Sequence, residues 1–416
     1  MGRADRIGGI LFAGLLGAAA LAAGLKGHFP ALAAAVLTLM ALGLAYLWNR
    51  FVFRKLTVER SLNRQFTEFD GEMTYTVTVT NRKLLPILGL RVEDSIPNGI
   101  EFADSSVLTI RKDGAGNSFR DYFQLHWYEK VRRVYEICPI KRGRFQFGPS
   151  SLHYSDPFGF FVNRKDLTQP LQLIVFPKVL PVEGIGALDT YLFGSKPQEG
   201  WIYTDPLNLV GTRPYQMTDS AQMINWKATA RHAQMQVNVE KPSFDQEVYL
   251  FLDHPPEHDW WQSAIHNKLE IGIITAASLI HRYSQRGFQI QFQSNLVSRL
   301  YGLKTAPVRV DPRHGQRTQL LTNLALLQSF SVKGMEQILN RELPKIRPGS
   351  TVIVITTREG QKNQAFEHTI AKLARRCRTV LIRVGDLEME NTIKGIKEFR
   401  VDGRVGWREM ETLELL

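Results

Sequence analysis

Two apolar runs near the amino terminus constrain this chain more tightly than anything downstream. Ile7 to Leu25 and Phe29 to Trp48 hold 19 and 20 residues without a charge. At about 1.5 Å of rise per residue, each makes a helix of roughly 30 Å, the thickness of a bilayer's hydrocarbon core. Only Lys26, Gly27 and His28 separate them and Pro30 opens the second, so the expected form is an antiparallel transmembrane hairpin within 1–55. Arg3 and Arg6 precede the first run and Arg50, Arg54 and Lys55 follow the second, against Lys26 in the turn. The positive-inside rule therefore puts both ends and the soluble body in the cytoplasm of a cell with an inner membrane. The rival reading is a cleaved signal peptide, since the first run is Ala-rich with small-residue sites such as Ala18 to Ala20. It leaves the second run to be explained as a buried helix.

Beyond the hairpin, the 416-residue chain has room for about two to three domains. Its apolar share of 44% and charged share of 22% are those of a folding body. The net charge of +12 comes from basic residues scattered along the chain, which does not predict nucleic acid binding. The cluster Arg50, Arg54, Lys55, Arg60 and Arg64 follows the apolar run directly, where acidic headgroups are expected to attract it. Cys138 and Cys377 fall in different regions, so no disulfide framework is expected and a reducing compartment fits.

From Leu56 the period changes to strict alternation. In Met73 to Thr80 (MTYTVTVT), Tyr75, Val77 and Val79 share one face. Further short apolar runs, separated by Gly, Pro, Asn and Asp, predict a β-sandwich over 56–180. Within it, Lys141 to Pro149 and Asp156 to Phe161 read as turn chemistry, with Arg142 and Arg144 as an alternative binding pair.

A linker and motif region is expected over 181–247. Gly211, Thr212, Arg213, Pro214 and Tyr215 lead to Asp219, which can cap a helix with Gln222 completing a capping box. On that helix Lys227 and Arg231 share a cationic face, while Trp226 and Ala230 share a packing face. One reading makes Arg213, Lys227 and Arg231 a docking surface for an acidic partner; the other pairs Arg213 with Asp219 and buries Trp226. From Val248 to the end, strands alternate with helices, which predicts an α/β domain over 248–416 with a mostly parallel sheet. The whole is α+β and multidomain. No GxxxxGK[ST] segment occurs, so the chain carries no phosphate-cradling loop. Asp253, His254, Glu257, His258 and Asp259 follow the first strand of this domain, where a solvated loop is expected rather than a metal site.

Taken together, the RG...GP and DPFGFF segments, GTRPY...D and INWKATAR resemble the bacterial membrane proteins of the domain-of-unknown-function 58 family. The resemblance implies a β-sandwich followed by a domain similar to the von Willebrand factor A fold, and pairing with MoxR-type AAA+ ATPases. The family commonly has Gly before the aspartate matching Asp219 and Arg at the place of Gln222; Thr218 and Gln222 stand here. An A-type adhesion site would need Asp-x-Ser-x-Ser to hold magnesium through hard oxygens. Asp253 is followed instead by His254, Pro255, Pro256 and Glu257, and Thr356, Thr357, Arg358 and Glu359 stand where a second aspartate is usual, so the site is expected to be degenerate. The expectation is therefore a membrane-anchored, non-enzymatic scaffold without cofactors, its motif residues being Arg213, Tyr215, Asp219, Trp226, Lys227 and Arg231. Its partners would be the bilayer and a protein, a MoxR-type ATPase by resemblance. The alternatives are a membrane-bound hydrolase built from Cys377, Asp253, His254 and His258, and an external adhesin of opposite topology.

Overall fold

The computed structural model describes residues 14, 17–18, 29–103, 111–113, 116–156, 162–193, 203–216, 223–232, 234–243, 247–255, 263–298, 308–309, 316–331, 333–358, 363–385, 393 and 396–416. The first apolar run lies outside these, apart from Gly14, Gly17 and Ala18. The second forms one helix, α1 (Phe29–Phe51), long and apolar enough to cross a membrane. Its buried residues are Leu42, Ala45 and Asn49, and most of the remaining surface is uncovered, unlike that of a helix in a soluble core. The chain divides into two compact units, Met1–Pro177 and Lys178–Leu416.

In the first unit α1 runs into twelve strands among the described residues. They are β1 (Leu56–Leu62), β2 (Phe66–Thr67), β3 (Met73–Asn81), β4 (Ile87–Ile96), β5 (Ile100–Phe102), β6 (Arg111–Asp113), β7 (Gly116–Leu125), β8 (Lys130–Pro139), β9 (Gly143–Phe147), β10 (Ser150–Ser155), β11 (Val162–Leu167) and β12 (Leu171–Val175). One antiparallel sheet has the order β1-β3-β8-β5, a second β11-β10-β4-β7-β6, and a small third β2-β12-β9. The alternation in β3 puts Tyr75, Val77 and Val79 into the core. There the two larger sheets meet through aromatic rings: Tyr75 lies edge-on to Phe119 of β7 at 5.8 Å, and Phe119 is edge-on to Tyr135 of β8 at 5.0 Å.

The same core holds a buried charge. Asp94 on β4 is fully buried and accepts hydrogen bonds from the Tyr75 hydroxyl, the Ser150 hydroxyl and the Arg60 guanidinium. Burial first, then the neighbouring carboxylate, pushes the Tyr75 hydroxyl well above its ordinary range. This corrects one expectation. Arg60 is not a headgroup ligand, because strand alternation from Val58 and Leu62 turns it inward, where its side chain is 4% exposed. Arg50, Arg54, Lys55 and Arg64 remain exposed.

Three side-chain hydrogen bonds join the end of α1 to the sandwich. The Trp48 indole donates to the Pro86 carbonyl at 3.1 Å, Lys83 Nζ to the Val52 carbonyl at 2.7 Å, and Asn163 Nδ2 to the Asn49 carbonyl at 3.2 Å. Val52 and Leu56 belong to the sandwich core.

The second unit begins at Lys178, three residues ahead of the stretch read as linker, and its first elements lie inside that stretch. β13 (Val182–Glu183) pairs in parallel with β24 (Leu413–Glu414), and α2 (Ile185–Phe193) holds Asp189 against Arg282 and Arg286, each at 2.8 Å. The hairpin of β14 (Tyr203–Pro214) and β15 (Gln236–Ser243) carries the short helix α3 (Trp226–His232). Then come β16 (Glu247–Asp253), α4 (Ser263–Gln285), β17 (Gln289–Ser294), β18 (Leu296–Ser298), β19 (Val308–Arg309), α5 (Gln316–Ala325), β20 (Leu327–Ser331), α6 (Met335–Glu342), β21 (Thr351–Thr356), α7 (Gln364–Ala374), β22 (Arg378–Gly385) and β23 (Lys397–Asp402). Six strands form one sheet in the order β19-β17-β16-β21-β22-β23. All its neighbours pair in parallel except β19 with β17. Every residue of β21 is buried, as both faces of a parallel sheet must be. Tyr249, Phe251, Val352 and Val354 face α6 and α7, while Leu252 faces α4 at Gly272.

Replacing Asp94 with Ala leaves the Arg60 charge buried and unpaired, which costs about 3–5 kcal/mol. Chemical denaturation of the full chain in detergent should show that loss, and Asp94→Asn should fall between it and the parent.

Candidate functional site

In a parallel sheet the carboxyl ends of adjacent strands bring their next residues together, and the register sets Asp253 of β16 beside Thr356 of β21. Asp253 is completely buried. Its Oδ2 accepts from Arg358 Nε at 2.6 Å and Thr356 Oγ1 at 2.8 Å; its Oδ1 accepts from Asn295 Nδ2 at 3.1 Å and Arg358 Nη2 at 3.3 Å. Arg358 is itself only 7% exposed at its side chain. It lies 3.6 Å from Glu336 and over the Phe366 ring at 4.9 Å. Burial opposes its charge, but the bonds and field of Asp253 and then Glu336 hold it above its ordinary range.

Asn295, just beyond β17, ties the neighbouring loop down. Its Oδ1 accepts from the His254 amide at 3.0 Å and its Nδ2 donates to the His254 carbonyl at 2.7 Å. The His254 ring sits with Nδ1 2.7 Å from the Thr357 hydroxyl. Burial, aided by the Arg358 charge, pushes its pKa down to about 4, so the ring is neutral at ordinary pH.

These residues do not fit a divalent cation. A hard cation needs carboxylate oxygens free to coordinate, and both oxygens of Asp253 are already engaged, two of their four donors belonging to a guanidinium. Among the described residues no three His, Cys, Asp or Glu side chains converge. A cysteine nucleophile fares no better. Cys377 precedes β22 at the amino end of the sheet, whereas His254 follows β16 at the carboxyl end, roughly 20 Å away at about 3.3 Å per strand residue. Burial raises the Cys377 thiol pKa, and its Sγ donates to the Arg347 carbonyl. The Cys138 thiol, bonded to Asp70, is pushed up to about 11, with burial the larger cause and Asp70 next. Neither is an activated thiolate. Glu257, His258 and Asp259 lie outside the described residues.

The described motif residues, Arg213, Tyr215, Trp226, Lys227 and Arg231, gather on the β14–β15 hairpin and the helix it carries. Arg213 pairs in register with Val237 and donates to the Pro214 carbonyl at 3.1 Å; the Tyr215 amide bonds to Met235. Asp219 and Gln222 lie outside the described residues. The expected helix start there is corrected, because Ile224 forms a β-bridge to Val237 and α3 begins only at Trp226, capped by Asn225 Oδ1 accepting from the Ala228 amide at 2.9 Å. The packing face is corrected as well. Trp226 is 70% exposed and Ala230 is exposed, while Thr229 turns inward and accepts from the Gln236 amide. Lys227 and Arg231 are exposed beside Trp226. Sequence reasoning noted Arg358 as a departure from an expected aspartate but missed its role. The available signal was a polar residue at or just after the end of each of three strands: Asp253, Thr356 and Asn295.

The fold and this site define an α/β domain with a closed ionic centre at its strand ends, preceded by a β-sandwich and an apolar helix. Residues 211–395 match the family model described as Protein of unknown function DUF58. The chain is similar to Uncharacterized protein YeaD of Bacillus subtilis (strain 168), 21% identical over 349 residues, covering 82% of this chain and 79% of that protein. Among solved structures it is similar to the CARDB domain of the PF1109 protein from Pyrococcus furiosus, at 14% identity and a TM-score of 0.20, covering 29% of this chain and 91% of that one. It is also similar to the major pilin SpaD from Corynebacterium diphtheriae, at 12% identity and a TM-score of 0.24, covering 31% and 37%. TM-scores this low carry no further reading.

Arg358→Ala should lower stability by about 3–5 kcal/mol by stranding the Asp253 charge, while the paired change Asp253→Asn with Arg358→Met should recover most of it. Urea denaturation of the three proteins measures this. His254 gives a separate pH signature. Its folded pKa is depressed, so the unfolded chain binds the extra proton, and the stability His254 contributes is complete above pH 6.5 and lost as pH falls toward about 4. His254→Gln should flatten that part of the stability–pH curve.

Proposed function

We propose that this protein is a membrane-anchored, non-enzymatic adaptor whose α/β domain is of the von Willebrand factor A type and binds a protein partner at the cytoplasmic face. The observation that carries the reading is the ion pair at Asp253. By the family resemblance Asp253 corresponds to the carboxylate that holds a metal in an adhesion-type domain; here Arg358 neutralises it internally, which supports recognition through the domain's surface. That surface offers Trp226 at 70% exposure with Lys227 and Arg231 beside it, inside the stretch matching the family model. An aromatic anchor flanked by cations suits an acidic partner.

The cytoplasmic orientation draws support from Arg50, Arg54 and Lys55, which lie exposed where α1 leaves its apolar stretch. The choice of partner, a MoxR-type AAA+ ATPase acting in assembly or maturation of an envelope complex, draws on the family resemblance.

Full-length protein reconstituted in nanodiscs should retain a MoxR-type ATPase from its own cell's lysate when ATP or a slowly hydrolysed analogue is present. The variant Trp226→Ala, Lys227→Glu, Arg231→Glu should lose that retention while keeping the parent's melting temperature. No retention by the parent in either nucleotide state removes the ATPase from the proposal. A reporter fused after Leu416 that is active only outside the cytoplasm removes the orientation.

A further inference from the structure

We propose that the end of the sandwich gripping α1 is itself a lipid-contact surface, with its loops lying in the headgroup layer beside the helix. The proposal rests on reading α1 as a membrane span. Depth follows from geometry. From Phe29 to Trp48 the helix rises about 28 Å, so if Phe29 lies at one boundary of the hydrocarbon, Trp48 lies at the other. The Trp48 indole is bonded to the Pro86 carbonyl, and Lys83 is bonded to Val52 one turn further on, so loop 82–86 shares that depth.

A second loop is tied to the first. Asn81 Nδ2 donates to the Leu85 carbonyl at 2.9 Å and to the His126 carbonyl at 2.8 Å, and the Tyr128 amide donates to the Lys83 carbonyl at 3.2 Å. The tip of the β7–β8 hairpin therefore stands at the same level as loop 82–86. The Arg82 amide donates to the Lys55 carbonyl, which closes the ring of segments back onto the helix exit.

What these loops present does not suit water. Leu84 is 71% exposed, Trp127 63% and Tyr128 65%. Tyr128 has a φ of 52°, a left-handed conformation that favours Gly or Asn at a hairpin tip, yet the position carries a large aromatic ring. Trp and Tyr are the side chains that settle at a membrane boundary, one part apolar and one polar. The helix exit and the loop bonded to it also carry the exposed cations Arg54, Lys55 and Arg82, which complement anionic phosphates of headgroups. An aromatic pair, a leucine and three cations at the depth of an interfacial tryptophan fit a bilayer surface.

The test uses the full chain with Cys138→Ser and Cys377→Ala in nanodiscs of phosphatidylethanolamine and phosphatidylglycerol. Nitroxide labels are attached singly at Leu84→Cys, Trp127→Cys, Leu37→Cys in the middle of α1, and Lys141→Cys. Lys141 follows the far end of β8 and is exposed. The readout is the ratio of collisions with oxygen to collisions with a water-soluble nickel chelate. Labels at 84 and 127 should show a ratio severalfold above that at 141 and below that at 37. If 84 and 127 match 141 while 37 is deep, the loops are aqueous and available to a protein partner, and this inference fails alone. If 37 also matches 141, α1 is not a span and the anchor reading fails with it.

Discussion

Asp253 keeps its side chain entirely out of water, and that is possible only because a guanidinium, a hydroxyl and an amide reach it from three other positions. An isolated carboxylate in that place would be protonated or would disrupt the sheet. The ion pair therefore acts on the arrangement of the domain more than on its net stability. Apolar replacements of such pairs are often neutral, whereas half of one is strongly unfavourable. Because its partners come from β21, the residues just after it and the segment after β17, the pair holds together the ends of three adjacent strands. The loops that follow β16 and β21 start from positions set by it.

The sandwich uses the same device in a different setting. Arg60 on β1 reaches across the core to Asp94 on β4, where Ser150 of β10 and Tyr75 of β3 complete the shell. Two sheets packed by nonspecific apolar contact can slide, and a buried charge with one satisfying arrangement discourages that. The helix exit adds a third constraint. Val52 and Leu56 sit in the core, and the Asn49 and Val52 carbonyls at the helix exit are bonded by Asn163 of β11 and by Lys83 of the β3–β4 loop, so α1 and the sandwich are joined without a free linker.

Much of this was legible in residue order, for physical reasons. The alternation of Met73 to Thr80 is β3, and the strand–helix alternation expected from Val248 onward is seen in β16, β17, β21 and β22 with their helices, because a half-buried or fully buried strand must repeat its apolar residues in that way. Long-range partners were not legible. Arg60 looks like one more juxtamembrane cation until Asp94, 34 residues later, is folded against it. Arg358 looks like a missing aspartate until it is seen on Asp253. The α3 region misled because Asp219 and Gln222 form a good local cap pattern, while the pairing of Ile224 with Val237 depends on a strand that comes after it. Trp226 misled for a related reason: a tryptophan is usually buried, and only the docking of Thr229 on β15 turns the ring outward.

The pairing of Val182–Glu183 with Leu413–Glu414 has a consequence for the order of events during synthesis. It joins the first and last strands of the α/β unit, and Gly184 is packed so closely against Leu415 that a Cβ there would meet its carbonyl at 2.3 Å. A contact of such separation in sequence cannot form until residues 413–416 have left the ribosome, long after α1 and the sandwich are free to fold. Until then the α/β unit is open at that seam, while the unit that ends at Pro177 already has all of its residues.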